Sequence, residues 1–86
     1  MKRALITGAS GAIGAAIAWE LAQAGFAIYA HAHQQVAKAE QLVADIRAQG
    51  GQAQLLCFDV RDAATCTAIL QPIAEQQAFQ VIVNNA

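Results

Sequence analysis

The chain has 86 residues and a mass of 9.0 kDa, which is enough for one small domain. Five Lys or Arg against six Asp or Glu leave a formal charge of −1, so the chain has neither a basic footprint for nucleic acid nor a polybasic patch for a membrane. Apolar residues make up 57%; 22 of them are alanine, and Leu, Ile, Val and Phe add another 22, well above what a disordered chain carries.

No apolar run is long enough to span a bilayer. Met1-Lys2-Arg3 is a signal-peptide-like start, but Gly8, Ser10 and Gly11 interrupt the apolar run at once and no processing site follows. Cys57 and Cys66 stand nine apart, with no CxxC and no His at metal spacing. They read as two reduced, mostly buried thiols of a cytoplasmic protein, with no metal site.

In chain order, Ala4-Leu5-Ile6 has the shape of a buried parallel strand. Ile13, Ile17 and Leu21 then recur every four residues as the apolar stripe of a helix that Gly25 stops. Ala27-Ile28-Tyr29-Ala30 is the second strand. Val36, Ala39, Leu42, Val43 and Ile46 form the next helical stripe, closed by Gly50-Gly51. Leu55-Leu56-Cys57-Phe58 is the third strand, and Asp62 caps a third helix carrying Ile69, Leu70 and Ile73. Pro72 lies inside that helix and predicts a kink or an early end. Val81-Ile82-Val83 is the fourth strand.

The order β-α-β-α-β-α-β, with right-handed crossovers, predicts an α/β fold, half of a Rossmann-type doubly wound parallel sheet with strand order 3-2-1-4. The first two helices should cover one face and the third the other. The chain ends at Ala86, directly after an apolar strand with no neighbour, an edge that a natural domain covers or charges. Residues 1–86 are therefore expected to be the N-terminal part of a single dinucleotide-binding domain, truncated after the fourth strand.

The first strand runs straight into Thr7-Gly8-Ala9-Ser10-Gly11-Ala12-Ile13-Gly14 and then a helix. In such a loop Gly8 permits the tight turn, Gly11 or its neighbour lets the backbone approach a pyrophosphate, and Gly14 permits close helix–strand packing. The unpaired amides and positive end of the helix that starts near Ile13 favour the phosphates. Some 20 residues on, an acid would hold the ribose 2′-hydroxyl of NAD. Here the stretch is His31-Ala32-His33-Gln34-Gln35, and the first acid downstream is Glu40. With no carboxylate to repel a 2′-phosphate, NADP (as NADPH) is expected in preference to NAD. His33, Gln34 and Ser10 are its candidate donors, and His31 has no assigned role. Asp59 and Val60 close the third strand at the crevice rim, where a carboxylate can accept from an adenine amino group; the alternative is that Asp59 only starts a turn with Arg61. Asn84, Asn85 and Ala86 end the fourth strand at the same rim, able to pair backbone groups between strands or to contact a ribose hydroxyl.

Taken together, Thr7-Gly8-x-x-x-x-x-Gly14, Asp59-Val60 and Asn84-Asn85-Ala86 resemble the short-chain dehydrogenase/reductase superfamily, in the right order and across the whole chain. Within it, Ile6-Thr7-Gly8-Ala9-Ser10 and Gly25-Phe26-Ala27-Ile28 look most like the 3-oxoacyl-[acyl-carrier-protein] reductases. Those are NADPH-dependent enzymes of fatty acid synthesis, usually tetrameric, that reduce 3-keto acyl thioesters. The resemblance implies that Gly8, Ala9, Ser10, Gly11, Ile13 and Gly14 line the pyrophosphate and that His33 sits near the 2′-phosphate. It also implies that Asp59 and Val60 hold the adenine, with Asn84, Asn85 and Ala86 on the ribose side. The implied substrate is a small or acyl-carrier-protein-bound carbonyl compound, and the implied parent protein a homotetramer.

Two residues depart from the family pattern. Ala12 replaces the middle glycine of Thr-Gly-x-x-x-Gly-x-Gly, and Gly11 stands where a basic residue often precedes it. The loop also fits Thr-Gly-x-x-Gly-x-x-Gly, the spacing of extended relatives acting on sugar nucleotides as epimerases or dehydratases. The Asn-Asn-Ala ending and the non-acidic second strand argue against that subgroup. The superfamily's catalytic Ser and Tyr-x-x-x-Lys are not in this stretch: the only tyrosine is Tyr29, four residues before His33, and it reads as a packing residue. No catalytic residue is therefore assigned. A non-catalytic dinucleotide-binding module is the alternative to a cofactor-binding half of a reductase.

Overall fold

The computed structural model describes residues 2–85. Seven elements alternate: β1 (Arg3–Ile6), α1 (Ala12–Gln23), β2 (Ala27–Ala32), α2 (Val36–Ala48), β3 (Ala53–Cys57), α3 (Ala63–Gln76) and β4 (Val81–Val83). All strand pairs are parallel and the sheet order is β3-β2-β1-β4, as the sequence pattern predicts. β2 extends to Ala32, two residues past its expected end, whereas β3 lies about two residues earlier than expected.

Strand alternation divides the sheet into two unlike faces. On one, Ala4, Ile6, Ile28, Ala30 and Ala53 form a core with Ala18 of α1 and Leu42, Val43 and Ile46 of α2. The α2 stripe is buried where the sequence puts it, from Ala39 to Ile46. The α1 stripe is not. Its buried residues are Gly14 and Ala18, while Ile13 is 69% exposed and Ile17 and Leu21 pack only at the margin. Small residues win that face because they let α1 approach the sheet closely, which a spacing rule for large apolar residues overlooks.

On the other face, Leu5 and Tyr29 are buried, but α3 contributes no buried residue and Ile82 is 63% exposed. Tyr29 is a packing residue as expected, its ring 5.3 Å edge-on from that of Phe79. Asp62 caps α3 as predicted, its side chain accepting from the Thr65 amide at 3.1 Å. The early end at Pro72 does not occur, and α3 runs on to Gln76. Proline removes a single donor, and the turn beyond it is tied down from outside. Arg3 Nη1 donates to the carbonyls of Ile73 at 3.0 Å and Gln77 at 3.2 Å.

The thiols are free, but Cys57 is exposed and Cys66 half-buried, against the expectation of burial. Cys57 ends β3, the edge strand of the sheet, where it has a strand on one side only.

Candidate functional site

A parallel sheet binds ligands at the C-terminal ends of its strands, where the strand order reverses. Here that point lies between β1 and β4. A cavity of about 530 Å³ opens there, reached by Gly8, Ser10 and Gly11 from the glycine loop, by His33 and Gln34 from the end of β2, and by Asp59 beyond β3. Val60, Arg61 and Asn85 complete its rim. Another cavity, of about 390 Å³, lies around Arg3, Ala27 and Ala53, at the starts of β1, β2 and β3 and so at the wrong end of the sheet for this chemistry.

Gly8 turns the chain with φ +65°, a left-handed conformation that side chains resist. The Ala9 amide donates to the His31 carbonyl at 2.8 Å and the Gly11 amide to the Gly8 carbonyl at 3.1 Å. Gly11 is the N-cap of α1, in extended geometry and with no side-chain cap. The first intrahelical bond is that of the Ala15 amide to Gly11 at 2.9 Å. The amides of Ala12, Ile13 and Gly14 consequently find no partner among the described residues. Three unpaired N–H groups at the positive end of a helix suit an anion, and the two glycine positions around them differ in kind. A Cβ on Gly14 would lie 2.7 Å from the Gly8 carbonyl oxygen and 3.1 Å from Ala9 Cα, so that glycine serves packing. A Cβ on Gly11 would meet only the Gly8 carbonyl, at 3.5 Å, so the protein itself does not demand glycine there.

The motif at the end of β4 is stitched to the loop through Thr7. Its hydroxyl is shared between the Val83 carbonyl at 3.2 Å and Asn84 Oδ1 at 3.3 Å, and it accepts from the Asn85 amide at 2.9 Å. Asn85 Nδ2 reaches the Gly8 carbonyl at 3.5 Å. Asn84 and Asn85 thus pair groups between strands, one of the two roles the sequence allows. Ala86 lies outside the described residues.

Beyond β3, both oxygens of Asp59 are engaged by Arg61. Oδ1 accepts from its backbone amide at 2.9 Å and from Nε at 3.2 Å, and Oδ2 accepts from Nη2 at 3.0 Å. These side-chain and then backbone hydrogen bonds hold the Asp59 carboxyl at about 2, well below its ordinary value. His33 Nε2 stands 3.7 Å from Asp59 Oδ2 and is about half exposed. The fold favours the ionised carboxylate, so its contribution is present above the ordinary carboxylate range and is lost as pH falls toward 2. A carboxyl-carbon NMR titration should accordingly find the Asp59 midpoint near 2, and Arg61→Ala should return it toward the ordinary range. A wild-type midpoint already at the ordinary value would mean the Arg61 fork does not persist in solution.

Arg61 stands at the rim in the turn that Asp59 starts, the alternative reading of that carboxylate. The sequence pattern misses one member of the site. His31 is 2% exposed, accepting from the Gly8 amide through Nδ1 at 3.2 Å, with Nε2 2.7 Å from the Phe58 carbonyl. A reader of spacing alone has one clue, that His31 and His33 share strand parity; only the third strand and the loop decide that one is sealed in and the other left at the rim.

Residues 2–86 match the family model for short chain dehydrogenase. The chain belongs to the short-chain dehydrogenase/reductase family, oxidoreductases that use a nicotinamide dinucleotide. The 3-oxoacyl-[acyl-carrier-protein] reductase FabG of Staphylococcus aureus is 36% identical over 86 residues, covering 99% of this chain and 35% of the relative. The 7alpha-hydroxysteroid dehydrogenase of Clostridium sardiniense is 34% identical over 85 residues, covering 98% of this chain and 32% of the relative. A metagenomic short-chain oxidoreductase solved in complex with NADP superposes with a TM-score of 0.89 at 32% identity, over 99% of this chain and 38% of the other. The chain thus spans about a third of the length of these relatives.

Proposed function

We propose that this stretch is the cofactor-binding part of an NADPH-dependent carbonyl reductase, most similar in role to a 3-oxoacyl-[acyl-carrier-protein] reductase. The observation that carries the reading is the row of three unpaired amides, Ala12 to Gly14, beside a cavity whose β2 rim has no acid. The pyrophosphate would sit on those amides, with Gly8, Ala9, Ser10 and Gly11 forming the turn beneath it. His33, the Gln34 backbone and the Ser10 hydroxyl would take the 2′-phosphate, where NAD-selective sites carry a carboxylate. Asp59 and Val60 would bound the adenine, and Asn84 and Asn85 the ribose side, with Ala86 following. The absence of an acid on β2 itself supports NADP over NAD, and the Asp59 carboxylate that stands 3.7 Å from His33 is paired with Arg61 at 3.0 Å. When bound, the cofactor supplies a hydride to a carbonyl carbon. Nothing among these residues donates the accompanying proton, so Ser and Tyr-x-x-x-Lys are expected in further residues of the same protein.

Relatives about three times as long and the apolar face on which Ile82 is exposed and Leu70 and Phe79 only half-buried support that continuation. The reading of residues 1–86 as part of one domain belongs to the same proposal, as does a cytoplasmic, homotetrameric protein acting on an acyl thioester. The test is to purify the natural protein carrying this stretch, read its intact mass and C-terminal peptides, and assay NADPH oxidation with a 3-oxoacyl thioester. NADPH oxidation together with a Tyr-x-x-x-Lys peptide is the expected result. A polypeptide of 9.0 kDa that binds NADPH but reduces nothing would replace the reductase with a binding module.

A further inference from the structure

His31 is a polar ring sealed into the molecule, bonded at both nitrogens, and its surroundings fix which of them carries the proton. The Gly8 N–H donates to Nδ1 at 3.2 Å. A ring nitrogen that accepts is unprotonated, so in the neutral ring the proton is on Nε2, which donates to the Phe58 carbonyl at 2.7 Å. The ring also packs against that of Phe58, with centroids 4.2 Å apart, and the His31 carbonyl accepts the Ala9 amide at 2.8 Å. One residue therefore takes both amides that lead into the glycine loop and ties the loop to the chain beyond β3. With the amides of Gly8, Ala9 and Gly11 committed, those of Ser10, Ala12, Ile13 and Gly14 have no partner among the described residues and are left for a ligand.

We propose that His31, as the neutral Nε2–H tautomer, is a positioning residue for the dinucleotide phosphates. It pins Gly8 in its left-handed turn so that the N-terminus of α1 meets the anion in a fixed geometry. This rests on the dinucleotide reading above.

Two neutral replacements separate its two bonds. Asn carries an acceptor near the Nδ1 position and should keep the Gly8 bond; Gln is long enough to reach the Phe58 carbonyl but leaves the Gly8 amide unpaired. The purified chain, free of cofactor, should give the 15N signature of an Nε2–H imidazole at neutral pH. His31→Gln should speed hydrogen exchange at the Gly8 amide and weaken NADPH binding by about tenfold, while His31→Asn stays within about threefold of wild type on both. An Nδ1–H tautomer, or equal Gly8 exchange in the Asn and Gln variants, overturns the bracing role. Equal NADPH affinities despite unequal Gly8 exchange overturn the link to the phosphates. Failure of wild type to bind NADPH at all overturns the dinucleotide reading instead, and the tautomer and exchange measurements still decide the bracing on the cofactor-free chain.

Discussion

Gly14→Ala is expected to destabilise the fold by about 1–3 kcal/mol, the usual range for forcing an extra carbon into a filled space. The added Cβ would stand 2.7 Å from the Gly8 carbonyl oxygen, 2.9 Å from Asn85 Nδ2 and 3.1 Å from Ala9 Cα. The amide of Asn85 can turn away, but the other two are backbone. Neither is free to retreat, because the amides of Gly8 and Ala9 are both held by His31. Relief must come from lifting α1 off the sheet, which opens the contact of Ala18 with the core. For a domain of this size the melting temperature should fall by roughly 4–24 °C, read by circular dichroism. The control is Gly11→Ala, whose Cβ meets a single atom at an ordinary 3.5 Å and which should melt with the wild type. Equal melting of the two variants would mean that α1 stands further from the loop than the structure has it.

Gly11→Asp should separate folding from binding in the opposite sense. Gly11 caps α1 at φ −80° and ψ 159°, a backbone any residue adopts, and provides no side-chain bond to the free amides. An aspartate there can accept from the Ile13 or Gly14 amide and complement the helix dipole, a gain of about a few tenths of a kcal/mol over glycine. The same carboxylate occupies the anion position. A like charge about 4 Å from a phosphate costs several kcal/mol even at an effective dielectric of about 20, so NADPH affinity should fall by roughly a hundredfold or more. The variant should therefore melt at or slightly above the wild-type temperature while titrating NADPH poorly. Gly11→Ser, which caps without a charge, should lose much less. Wild-type affinity in the aspartate variant would remove the phosphates from the end of α1 and, with them, the functional reading.

Much of this architecture is legible without coordinates because its signals are local. Apolar runs too short for helices, separated by helix-length windows, lead to a parallel sheet in the order β3-β2-β1-β4. The α2 stripe is legible because large residues at helical spacing bury together from Leu42 to Ile46. The same rule misreads α1, where Gly14 and Ala18 face the sheet and Ile13 does not. Large residues advertise a face; small ones that permit close approach are not distinguished by spacing. The early end at Pro72 fails to occur for a related reason, since the turn beyond it is held by Arg3, some 70 residues away.

The glycine loop was open to inspection because strand, turn and helix are contiguous and the free amides follow from where the helix starts. The bonds made by His31 and Thr7 are not. His31 joins groups 23 and 27 residues distant, and Thr7 receives the Asn85 amide from 78 residues away. By itself the sequence determined the element order, the parallel sheet, the anion-ready turn and the absence of an acid at the second strand, all set by neighbours within a turn or two. The tertiary structure alone decided which histidine is sealed in and which lies at the rim, and which glycine serves packing and which leaves room for a ligand. Each of those depends on a distance set by atoms of another strand, loop or side chain, and spacing along the chain does not encode it.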